Sequence, residues 1–95
     1  MLSQKEIDII IETLKPYNPK RIAIFGSVAR NEETSSSDID IMYSFNSPIS
    51  LFNKYDIVEE LKFKLKKNID FVSEKAIHPK LKPFIFNDLK IIYGY

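Results

Sequence analysis

Ile7, Ile10, Ile11 and Leu14 recur at intervals of three and four, the spacing that lines one face of a helix. Ser3 and Glu6 form a capping-box pair at the start of that run, and Pro16 ends it. These apolar positions belong to a core, not a site. After a turn at Tyr17 to Pro19, Arg21 to Phe25 is a β-branched and aromatic run that predicts a buried strand, stopped by Gly26. Val28 to Asn31 then suggests one helical turn. The polar run Asn31 to Ser37 is an exposed connection.

Asp38 to Phe45 alternates, with Ile39, Ile41 and Tyr43 on one face and Asp38, Asp40 and Met42 on the other. This is a strand that carries two acids to one face. Leu51 to Lys67 predicts a helix with Leu51, Tyr55, Val58, Leu61 and Leu65 along its apolar side and Lys62, Lys64, Lys66 and Lys67 near its C-terminus. Asn68 to Ser73 is a third strand and His78-Pro79 a turn. Leu81, Phe84, Ile85 and Leu89 have helical spacing, and Lys90 to Tyr93 closes the chain as a short strand or a helix end.

At 95 residues the chain suits one compact domain spanning 1–95, with no internal repeat. Fourteen basic against thirteen acidic residues leave +1, so no global field points to nucleic acid or to an anionic membrane. The absence of cysteine excludes disulfides, thiolate metal sites and Cys nucleophiles. Met1 to Glu6 lacks the features of a secretion signal, and no apolar run approaches the ~20 residues of a membrane span. A cytoplasmic setting is the expectation.

The chemistry lies in Gly26-Ser27, ten intervening residues, then Asp38-Ile39-Asp40. Residues i and i+2 of a strand share a face about 6–7 Å apart, so the Asp38 and Asp40 carboxylates can converge on one hard cation. Mg²⁺ takes one or two carboxylates and completes its shell with water and substrate phosphates, which suggests a nucleotide. Gly26 lets a phosphate approach the backbone, and Ser27 adds a donor at a helix start. Asp70, in Asn68-Ile69-Asp70-Phe71-Val72, reaches the same metal if its strand lies beside Asp38 to Phe45. Three such acids suit two-metal nucleotidyl transfer. Taken singly, Asp-x-Asp also occurs at exposed strand ends, and Gly-Ser is an ordinary strand-to-helix turn with Ser as cap. The combination favours the site.

Gly26-Ser27-Val28-Ala29-Arg30, the polar loop, Ser37-Asp38-Ile39-Asp40-Ile41 and the later Asp70 resemble the minimal nucleotidyltransferase (MNT) domains of the polymerase β superfamily. The resemblance implies an α+β fold, a small mixed β-sheet with helices packed against it, with ATP and Mg²⁺ as cofactors and transfer of AMP to an acceptor hydroxyl. It implies that Gly26 and Ser27 hold the triphosphate, that Asp38 and Asp40 ligate Mg²⁺, and that Asp70 is the third catalytic and metal-binding carboxylate. Arg30 faces a phosphate or the partner on this reading, or is simply a solvated or salt-bridged residue. Many stand-alone MNT proteins are antitoxins that adenylylate a tyrosine of a HEPN-domain toxin. Asn31 and Val28 depart from the family pattern, which usually has Gly after the motif Arg and Arg or a polar residue at the Val28 position.

Two other functions fit the sequence: a binding module that inhibits its partner by occlusion, and a small-molecule nucleotidyltransferase, for which so short a chain offers little acceptor pocket. His78 has no second His or Cys to complete a metal site. Lys62, Lys64, Lys66 and Lys67 read as a solvated helix face that could also touch RNA or an acidic partner, and Tyr93 and Tyr95 as residues that tie the C-terminus to the core, with packing on a partner or modification as the alternatives.

Overall fold

A computed structural model describes residues 2–29 and 38–94 of the chain. Helix α1 (Gln4–Leu14) begins with the full capping box: the Glu6 amide donates to Ser3 Oγ and the Ser3 amide donates to Glu6 Oε1. Pro16 stops α1, and the chain passes through a single 3₁₀ turn (Lys15–Tyr17) into a left-handed Asn18 before strand β1 (Pro19–Phe25). A four-residue helix α2 (Gly26–Ala29) follows directly, two residues earlier than the sequence pattern places it. Strand β2 (Ile39–Phe45), helix α3 (Leu51–Leu65), strand β3 (Ile69–Ser73), helix α4 (Lys82–Asn87) and strand β4 (Lys90–Tyr93) complete the order.

The strands form a mixed sheet in the order β3-β2-β1-β4, with β1 antiparallel to both neighbours and β2 parallel to β3. The period-two alternation of β2 sorts the molecule into two faces. Ile39, Ile41 and Tyr43 join Ile22, Ile24 and Phe71 beneath α1 and α3, which contribute Ile10, Leu14, Ile57, Leu61 and Leu65. Met42 faces the other way with Ala23 and Ile77, covered in part by Ile85 and Leu89 from the α4 segment. Tyr43 and Phe71 stack with ring centroids 4.1 Å apart, coupling β2 to β3 on the helix-covered side.

Two sequence expectations change. Helix α3 stops at Leu65 rather than Lys67, because Lys66 adopts a left-handed cap whose amide returns to the Lys62 carbonyl. Its buried stripe is Ile57, Leu61 and Leu65 with half-buried Val58, whereas Leu51 and Tyr55 face outward at 82% and 65% exposure. The periodicity fitted both stripes, since this helix carries apolar residues on two sides. Tyr93 does pack against the core, as expected.

Candidate active site

The register across β1, β2 and β3 assembles the site. Phe25 pairs with Asp40, and Asp40 pairs with Asp70. Paired residues point to the same side of a sheet, and neighbouring strands lie about 5 Å apart. The two acids therefore stand side by side on the face opposite α1 and α3, in one row with Phe25. Asp38 lies two residues before Asp40, just outside β2, where the Ile39 amide already donates to the Asn68 carbonyl. Asp38 and Asp70 are exposed and Asp40 is half-buried.

Gly26 marks the point where β1 turns into α2. Its φ of +78° is a conformation that side chains rarely tolerate, and a Cβ placed on it would fall 3.1 Å from Asp40 Cγ and closer still to Oδ2. The acid therefore lies directly against the bare backbone of the turn. Residues 27–29 continue the helical turn at the same edge of the sheet. Arg30, Asn31 and the polar loop to Ser37 lie outside the described residues.

Asp40 and Asp70 are thus brought together with Gly26, and Asp38 is exposed immediately before β2. Among the described residues no group of three Asp, Glu or His side chains stands ready to hold a metal ion. The donor chemistry nevertheless fits Mg²⁺, which needs only one or two protein carboxylates when phosphates supply the remaining oxygens. Asp40 and Asp70 match that requirement, and the Asp40 carboxylate lies against the Gly26 turn. His78 is exposed, with Nδ1 accepting from the Lys80 amide in a local turn, and takes no part.

Sequence spacing did not reveal Phe25, which flanks Asp40 on the third strand of the row, nor the Arg21–Glu74 pair at the far end of the same face. There Arg21 Nε donates to Glu74 Oε1 at 2.8 Å and its terminal nitrogen to Oε2 at 2.6 Å. These residues are 53 apart in the chain. Only the pairing of strands could have joined them.

Residues 8–95 match the polymerase beta nucleotidyltransferase family. The chain belongs to this family. A relative from Methanocaldococcus jannaschii, named protein adenylyltransferase MJ0126, is 42% identical over 79 residues, covering 82% of this chain and 81% of its own. A toxin–antitoxin crystal structure with AMP-PNP superposes with a TM-score of 0.82 at 21% identity, covering 94% of this chain and 73% of that one. A tri-AMPylated Shewanella oneidensis HEPN toxin in complex with MNT antitoxin gives 0.78 at 20% identity, over 99% and 74%. The two structural likenesses establish the fold, which is the α+β arrangement with a small mixed sheet. No helix among the described residues is long and apolar enough to cross a membrane.

Proposed function

We propose that this nucleotidyltransferase is a protein adenylyltransferase that moves AMP from ATP to a hydroxyl of a partner HEPN toxin, tyrosine being the expected acceptor, and so acts as an antitoxin. The observation that carries the reading is the alignment of Asp40 with Asp70 across β2 and β3, with Asp40 lying on the bare turn at Gly26. The relative at 42% identity named protein adenylyltransferase supports the acceptor class. The neighbouring structures with AMP-PNP and with an AMPylated HEPN toxin support the nucleotide and the partner.

In this reaction the acceptor oxygen forms a bond to the α-phosphorus of ATP, the α–β anhydride bond breaks, and pyrophosphate leaves with the bonding electrons. The acceptor proton passes to a carboxylate of the acid row or to water. Asp38, Asp40 and Asp70 would hold Mg²⁺, which when bound neutralises phosphate charge and makes the acceptor hydroxyl more acidic. Gly26 and Ser27 would present backbone N–H groups and the Ser27 hydroxyl to the triphosphate, and Arg30 a cation to it. A carboxylate row with Asp70 exposed and Asp40 half-buried suits an acceptor carried on another protein, because that protein's surface closes the site.

The test is intact-mass spectrometry of the protein encoded beside this one, after incubation with this chain, Mg²⁺ and ATP. A gain of one or more AMP units that disappears with the Asp38→Asn, Asp40→Asn double variant supports the reading. An unmodified partner that still co-purifies and is inhibited replaces it with steric occlusion.

A further inference from the structure

Helix α3 carries a second apolar stripe, turned away from the core. Leu51, Phe52, Tyr55 and Phe63 are 82%, 83%, 65% and 73% exposed. The three aromatic positions fall on one side of the helix, and from Phe52 to Phe63 the stripe runs about 16 Å, three turns. At those exposures the four side chains together present on the order of 500 Å² of largely apolar surface, divided by the exposed Glu59 between Tyr55 and Phe63. An apolar surface of that size matches the largest patch that a typical monomer exposes, which is often functional, and is a substantial part of the roughly 800 Å² that each side of a stable interface contributes. A helix with apolar residues on both sides is normally covered on both.

Charge narrows the occupant. Lys62, Lys64, Lys66 and Lys67 crowd the C-terminal end of the stripe. Lys62 pairs with Glu59 and Lys64 with Glu60, while Lys66 sits 4.5 Å from the Phe63 ring centroid. Among the described residues Lys66 and Lys67 have no carboxylate partner, so this end of the stripe is net cationic. A second copy of the chain fits poorly. A two-fold axis that lays Tyr55 on Phe63 places Glu59, midway between them, against its own symmetry mate. The stripe also lies on the helix-covered side of the sheet, away from Asp40 and Asp70, so a protein bound there leaves the carboxylate row open.

We infer that the outer face of α3 docks an amphipathic helix of the protein partner, with acidic residues at the end that meets Lys66 and Lys67. This rests on the reading that the acceptor is a protein, and adds an anchoring surface separate from the chemical one. The stripe would hold the partner while its acceptor segment reaches the acid row around the β3 edge or from another subunit of the complex.

The experiment compares wild-type chain, a Phe52→Ser, Phe63→Ser double variant and Lys66→Glu for binding to the protein encoded beside this one, by isothermal titration. The variants change exposed side chains, so their thermal midpoints should equal that of wild type and ATP binding should be unchanged. The double variant should bind about 30-fold or more weakly, and Lys66→Glu about tenfold. Equal binding by all three, or no binding by wild type, overturns the inference while modification in the mass assay still stands or falls separately. A wild-type chain that sediments as a dimer, and as a monomer once Phe52 and Phe63 are replaced, overturns it in favour of self-association. Binding lost in the variants without any AMP transfer keeps the docking face and removes the transferase reading.

Discussion

The Asp40 carboxylate fills the space that a side chain on Gly26 would need. The glycine serves two requirements at once, a left-handed backbone and a clear path between the end of β1 and the acid on β2. Gly26→Ala should therefore destabilise the fold by about 1–3 kcal/mol and displace Asp40. Denaturant unfolding reads the first effect; AMP transfer, expected to fall by about 10²-fold or more, reads the second.

Asp40→Asn and Asp70→Asn should each lower transfer by about 10²–10³-fold. Neighbouring carboxylates repel, so removing the charge of the exposed Asp70 should not weaken the apo fold. A thermal midpoint of Asp70→Asn equal to or above wild type, alongside the kinetic loss, is the expected pair of results. A variant at Asp70 with full activity would remove that residue from the machinery.

Chelation should separate chemistry from folding. With excess EDTA the transfer should stop, whereas circular dichroism and the unfolding midpoint should hardly change, because the core beneath α1 and α3 owes nothing to the acid row. Restoring Mg²⁺ should restore transfer.

The two sides of α3 predict opposite outcomes. Ile57 is 1% exposed and Leu51 82%, so Ile57→Ala should cost about 2–5 kcal/mol and Leu51→Ala no more than about 0.5 kcal/mol. Urea midpoints of the two variants decide it.

Arg21 and Glu74 join β1 to the chain after β3 through two charge-assisted bonds, with side-chain exposures of 30% and 22%. Glu74→Gln should cost about 1 kcal/mol, and part of that difference should disappear at 1 M salt. An unchanged unfolding midpoint would show that solvent fully screens the pair.

Much of this protein is written locally. The Ser3–Glu6 box, the stop at Pro16, the turn at Gly26 and the alternation of Ile39, Ile41 and Tyr43 against Asp40 and Met42 depend on neighbours within a few residues, and each is present in the structure. The spacing of Gly26-Ser27 and Asp38-x-Asp40 was likewise legible, because the chemistry that needs them constrains positions along one chain. Tertiary structure decided what depends on non-local packing. The parallel register that sets Asp70 beside Asp40 rests on pairing of strands thirty residues apart, where a slip of one residue would turn Asp70 to the other face. Periodicity alone could not choose which apolar stripe of α3 to bury, since both satisfy it. The choice came from where β2 and β3 present Tyr43 and Phe71, a surface that exists only once the sheet has formed.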